Sequence, residues 1–452
     1  MKNVIQYLFV VLFIIVICVM GIVVKQSDTL PRYHQHLEQK SEEELGQCTK
    51  CDGKTQLCTH LPIITIDTGG QKIPGAPIMD ENYITIGYEK GTNGEELIEA
   101  DISTIEKTEK WHHLADKPTN KSKALIRYRG NTSRAFEKHS FLIKLVESED
   151  TQKNRDLSIM GMEKDNEWAL NGPFLDKTLI RNYIAMNLAG EIMGYAPNVR
   201  FCELVLDGEY QGVYLMMETI KQGEGRVNIT KNDPNSVVTS YIVRNVSKGN
   251  SLKTINTFSY YSKRLEQNIG VELIYPGLAA QNKRIKDYVA SDISDIEGKL
   301  YSPEIIEKSR KYKDMIDVQS FVDYYIIEEL LAINDAFSES TYFHKDVRGK
   351  LKIGPVWDFN NSLDNYIKPI PMDELLLDRR GWYGALMKDD EFVDRTIKRY
   401  KELRKNILSD QFLNEYIDET VNWLGGSVDR NYQVWGYTFD YQKVKRPNYC
   451  KW

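Results

Sequence analysis

The chain has 452 residues, 41% of them hydrophobic and 27% charged, with 27 Tyr and 7 Trp. That composition excludes wholesale disorder, and the length allows two lobes whose cores need neither metal nor disulfide. The net charge of −6 lacks the basic excess that neutralises a phosphate backbone, so no nucleic-acid partner is expected.

In chain order, Val4 to Val24 is an almost unbroken run of Val, Ile, Leu and Phe between Lys2 and Lys25. At ~1.5 Å per residue such a run covers roughly the hydrocarbon core of a bilayer. No A-x-A-like exit follows it, and Ile17-Cys18 lacks the small residue that precedes a lipidated cysteine. The expectation is an uncleaved transmembrane helix over residues 1–25, binding the membrane and placing a single-pass protein in the cell membrane with its globular part extracytoplasmic. Single lysines on each flank specify orientation weakly.

Residues 26–60 read as a polar stalk carrying a cysteine cluster. In Cys48-x2-Cys51-x6-Cys58-x-His60 the thiols suit either one or two disulfides in an exported segment or a tetrahedral zinc ion. The first alternative fits the expected compartment better. His112-His113 has no third ligand nearby in sequence, which makes surface histidines the simpler reading.

Residues 61–240 read as a β-rich N-terminal lobe. Runs such as Pro62 to Asp67 and Tyr83 to Tyr88 alternate with Gly, Pro and Asn turns, the pattern of short strands. Thr178 to Met193 has helical spacing, and strands around Phe201–Leu206 and Gly212–Met216 are joined by Asp207-Gly208, a hairpin signal. Residues 241–452 read as a mainly helical C-terminal lobe, with apolar faces over Phe321–Leu331 and Phe392–Ile407. A strand pair around Val347-Arg348-Gly349 interrupts it. The fold class expected is α+β.

Asp335 ends an apolar helix and Asp358 follows the strand pair, a layout that returns two carboxylates to one place. Phosphoryl transfer needs such a pair: one acid orients the acceptor hydroxyl, another holds the metal on the phosphates, and a residue five positions after the first assists. The triplet is Asp335, Ser340 and Asp358. Asp358-Phe359-Asn360 is similar to the metal-binding Asp-Phe-Gly, with Asn in place of Gly. Taken singly, Asp335 is equally a helix-end cap and Asp358 a buried acid satisfied by backbone donors. Lys138 and Lys144 are equally solvated strand lysines.

Several spaced motifs together carry a resemblance. Gly130-Asn-Thr-Ser133 with Lys138 and Lys144, Asn171-Gly172, Leu179-Ile-Arg181-Asn182, Gly212-Val-Tyr214 and Glu218 precede Glu329-Leu330 through Asn334-Asp335. Ser340-Thr-Tyr342, Lys345-Asp346, Gly349-Lys-Leu351 and Gly354-Pro-Val-Trp-Asp-Phe359 follow. In this order, over roughly residues 60 to 440, the chain resembles the spore-coat CotH-type protein kinases. The resemblance implies a divergent two-lobed kinase-like fold and transfer of the γ-phosphoryl of ATP, with Mg2+ or Mn2+, to Ser or Thr of a cell-surface or spore-coat protein. It implies Asp335 as catalytic residue and Asp358, Ser340 and Asn360 as metal ligands. Lys138 or Lys144, Arg181 and Trp357 would meet nucleotide or phosphate, with Glu218 holding the lysine; Arg181 could instead close a structural ion pair. Ile333 and Asn360 stand where the family usually has Asn and Asp. They keep open a second reading, a kinase-shaped scaffold or adhesin that binds partner proteins without catalysis.

Overall fold

The computed structural model describes residues 32–51, 56–82, 84–107, 110–246, 252, 270–301, 312–365, 370 and 373–440. Val4 to Val24, Cys18 and Cys450 lie outside the described residues. Strands β1 (Cys58–Thr59), β2 (Ile63–Asp67), β3 (Pro77–Met79), β4 (Thr85–Tyr88), β5 (Ile98–Ile105), β6 (His112–His113), β7 (Asn120–Arg129), β8 (Ser140–Val146) and β9 (Glu167–Asn171) precede the helix Arg181–Ile192. Then come β10 (Val199–Leu206), β11 (Glu209–Glu218), β12 (Tyr241–Val246) and β13 (Gly270–Tyr275). The helices Lys283–Tyr301 and Val318–Leu330 lead to β14 (Tyr342–Lys345) and β15 (Lys352–Ile353), and the helices Asp390–Leu403, Asp410–Leu424 and Gly426–Trp435 end the described chain.

Seven strands close a barrel in the order β10-β11-β9-β8-β7-β5-β2, sealed where β10 pairs in parallel with β2. Alternation along the strands fills it. Ile98, Ala100 and Ile102 of β5, Phe141, Ile143 and Leu145 of β8, and Cys202 and Leu204 of β10 point into one apolar cluster, the period-two pattern of a strand with one buried face. Strands β10 and β11 are buried on both faces. Their other sides, with Phe201, Val213, Leu215 and Met217, join a second cluster with the helices Arg181–Ile192, Lys283–Tyr301 and Val318–Leu330. At ~25 cal/mol per Å2 of apolar surface buried, this two-sided burial is the main adhesive between barrel and helices. The hairpin between these strands turns on Asp207 (φ 49°) and Gly208 (φ 83°), the positive-φ pair of a two-residue loop.

Two expectations are corrected here. The two-lobed kinase-like arrangement is replaced by a closed seven-stranded barrel, because β2 and β10 zip together where an open lobe would leave two edges. The helical cluster is then continuous with the barrel's outer face. Residues 241–452 also carry a four-stranded sheet, β13-β12-β14-β15. Single-pass membrane localisation has no support: among the described residues no helix is long and apolar enough to cross a membrane.

The polar stretch read as a stalk is packed from His34 onward. The Gln35 side chain is fully buried and completes the hydrogen bonding of Phe201, donating from Nε2 to its carbonyl (3.1 Å) and accepting from its N–H (2.6 Å). Trp423 donates from Nε1 to the Gln39 carbonyl at 2.8 Å, and Arg430 pairs with Glu42 at 3.0 Å.

Candidate active site

The helix Val318–Leu330 starts with the Asp317 side chain accepting the Ser320 N–H at 3.1 Å, which satisfies one orphan donor of its first turn. After the helix the chain tightens over Leu331–Phe337. Leu331, Ile333, Ala336 and Phe337 are buried, so Asn334 and Asp335, both half-buried, stand on an apolar footing. Ile333 donates to the Glu328 carbonyl at 3.1 Å and Ser338 to that of Asp335 at 3.0 Å. Arg380 Nη1 donates to the Asn334 carbonyl and, at 3.2 Å, to that of Ala336. Asp335 is thus presented by a turn whose backbone is bonded on both sides.

Asp358 arrives by a different route. Beyond β15, the buried Val356 and Phe359 anchor the segment, Trp357 is half-buried, and Asp358 is exposed with φ 70°. The Phe359 N–H donates to Asn182 Oδ1 at 2.8 Å. Leu363 then donates its N–H to the Leu331 carbonyl at 2.8 Å, which stitches the Asp358 segment to the Asp335 segment. Seven of the ten positive-φ non-glycine residues among those described lie between 332 and 364: Ala332, Phe337, Ser340, Arg348, Asp358, Leu363 and Asp364. Each costs on the order of 1–3 kcal/mol, and such outliers concentrate where backbone geometry serves a site.

The electrostatics agree with this placement. Burial pushes the Asp335 carboxyl up to about 6, and the Asp358 charge pushes in the same direction. Glu328, buried behind Asp335, is raised well above the carboxylate range by burial and then by the Asp335 charge. Arg380 opposes the rise at Asp335, and the cation facing Asp358 is Arg129, at the end of barrel strand β7. Burial lowers its pKa, opposed by Tyr342 and by Asp358, and its guanidinium lies over the Trp357 ring, 4.9 Å from the centroid, a cation–π contact.

Asn360 is engaged at both ends of its amide. Nδ2 donates to Asp358 Oδ1 at 2.6 Å, and Oδ1 accepts from Asn182 Nδ2 at 2.7 Å. Asn182, on the helix Arg181–Ile192, therefore orients both the backbone and the side chain around Asp358. Ser340 sits in the Asp335 segment ahead of β14 at φ 51°, next to Thr341, whose Oγ1 meets Tyr324 Oη at 2.9 Å.

The remaining sequence candidates stand elsewhere. Lys138 is buried, donates to Asn431 Oδ1 at 2.6 Å, and lies 5.0 Å from the Tyr214 ring centroid; burial, then the charge of Lys177, holds it well below the usual lysine range. Lys144 lies on the outward-facing side of β8, between the inward Ile143 and Leu145 and opposite Glu167 and Leu125. Glu218 pairs with an arginine: Arg226 Nη1 is 2.5 Å from its Oε1, and Asn198 donates to Oε2 from its backbone N–H at 2.8 Å. Arg181 closes a structural pair with Asp176 at 2.6 Å and donates from Nε to the Ser362 carbonyl at 3.0 Å, bracing the loop that follows Asp358.

Arg129, Asn182 and Glu328 escaped selection as site residues. Arg129 carried a signal, since it stands immediately before Gly130, where φ is 113° and an added Cβ would fall 1.9 Å from Ser133 Oγ. A turn that tight fixes the preceding side chain at the strand's end. Nothing in the spacing of Glu328 distinguishes it from other helical acids.

A family model described as CotH kinase protein matches residues 126–449. No curated protein matches the chain.

Proposed function

The chain belongs to the CotH kinase family, and from that premise we propose that it transfers the γ-phosphoryl group of ATP to Ser or Thr of a spore-coat-type protein, with Mg2+ or Mn2+. The observation that carries this reading is the Leu363–Leu331 hydrogen bond, which stitches the segment of Asp358 to that of Asp335, whose carboxyl feels the Asp358 charge. Two carboxylates that repel each other, with Arg380 facing Asp335 and Arg129 facing Asp358, suit a hard divalent cation and phosphate oxygens.

Asp358, oriented by Asn360 and Asn182, would hold the metal, and Arg129 with Trp357 would meet phosphate or nucleotide. The metal nucleotide supplies the phosphoryl donor and the charge neutralisation that the transfer requires. Asp335 accepts and orients the acceptor hydroxyl, and a carboxyl titrating near 6 is closer to working pH than an ordinary aspartate. Asn360 acts as a positioning residue, since both ends of its amide are occupied within the protein.

The test incubates the full chain with γ-labelled ATP, divalent metal and a Ser-rich coat protein. Incorporation lost on chelation and in both Asp335→Asn and Asp358→Asn supports the kinase. A parent that incorporates no label yet binds the coat protein, as both variants do, would instead establish the non-catalytic scaffold.

A further inference from the structure

We propose that Cys48, Cys51, Cys58 and His113 form a structural zinc site that clamps the segment ahead of the barrel onto the β1–β6 strand pair. One ligand atom from each of these four residues lies within 4.8 Å of all the others. His113 Nε2 is 3.3 Å from the Sγ of both Cys48 and Cys51, and those two sulfurs are 3.7 Å apart. A tetrahedral ion with ~2.3 Å bonds to sulfur requires sulfur–sulfur edges of about 3.8 Å, whereas a disulfide requires ~2.05 Å. The observed spacing is that of a coordination shell.

Each ligand is placed by a separate structural cause. Cys58 and His113 are direct cross-strand partners in β1–β6, so the pairing register itself sets them side by side. Cys48 and Cys51 come from one turn, in which the Lys50 N–H donates to Cys48 Sγ at 3.4 Å, a bond that favours thiolate over thiol. His113 is buried, and its other ring nitrogen, Nδ1, faces Asp116 Oδ2 at 3.5 Å. A carboxylate behind the histidine fixes the ring and leaves Nε2 to the metal. Lys50 in turn lies 3.5 Å from Asp116.

The zinc alternative in the sequence took His60 as the fourth ligand, and the structure turns that side chain away. His60 packs against the Trp423 ring, 4.8 Å between centroids, with Nδ1 3.4 Å from Glu42. His112, expected at the surface, is buried and contacts the Leu61 carbonyl at 2.9 Å.

The site also has a task. β1 and β6 are two residues each, too short to persist on their own hydrogen bonds, and the ion would cross-link them to the turn at 48–51. Binding releases the thiol protons and involves no redox step.

The experiment measures zinc and cobalt in the full chain purified with reductant and without chelator. One zinc per chain is expected, and replacement by Co2+ should give the absorption of a tetrahedral thiolate site. Cys51→Ser and His113→Ala should lose that spectrum, while His60→Gln should keep both zinc and spectrum. Asp116→Asn should weaken zinc about 10–100-fold, read by competition with a colorimetric chelator. Metal-free protein with a Cys48–Cys51 disulfide in its peptide map would overturn the proposal, as would zinc retained unchanged in His113→Ala or lost in His60→Gln.

Discussion

Asp335→Asn should stabilise the metal-free protein while abolishing transfer. The carboxyl titrates at about 6 in place of 3.8, a rise of roughly two units at ~1.4 kcal/mol each. Above pH 6 the native state therefore holds an ionised group at a cost of up to ~3 kcal/mol relative to the unfolded chain. The sign follows from the raised pKa. Below about pH 4 the acid is protonated in both states and the penalty is absent; as pH rises through about 6 that stability is lost. The amide cannot ionise, so urea unfolding at pH 8 should show the variant more stable by up to ~3 kcal/mol, with the difference vanishing near pH 4. Added Mg2+ with ATP should stabilise both proteins, because Asp358 and Arg129 remain to bind it, and the parent by more, because there the cation also relieves the Asp335 charge. A variant destabilised equally at both pH values would refute the reasoning and make Asp335 a structural cap of its turn.

Arg129→Met should raise the KM for ATP about 10–100-fold, the loss of ~1.5–3 kcal/mol in charged hydrogen bonding, with the fold intact by circular dichroism. Asn182→Ala should lower kcat and the apparent affinity for Mg2+, and cost about 1–3 kcal/mol in urea unfolding, because the buried Phe359 N–H loses its 2.8 Å acceptor. Arg226→Met should cost roughly 3–5 kcal/mol by leaving the Glu218 charge buried and unpaired. Thermal unfolding of Arg226→Met combined with Glu218→Gln should show most of that loss recovered.

Local pattern was enough wherever neighbours in sequence are also neighbours in space. The Asp207-Gly208 hairpin, the helix at Arg181–Ile192 and the β14–β15 strand pair were all legible, because turn chemistry and hydrophobic period act over a few residues. The expected return of Asp358 toward Asp335 rested on the same kind of local pattern, since only the β14–β15 hairpin lies between the two segments. Closure of the barrel was not, since it depends on the parallel pairing of Glu203–Leu206 with Ile63–Ile66, about 140 residues apart and unmarked in either segment's pattern. Separation in sequence likewise hid the meeting of Arg129 with the Asp358 charge, of Lys138 with Asn431 and of His113, rather than His60, with the cysteines. The sequence by itself determined which residue types were available and the short elements that present them. Which charges and ligands meet was decided by tertiary structure, because burial and pairing between remote strands set the distances over which electrostatics and coordination act.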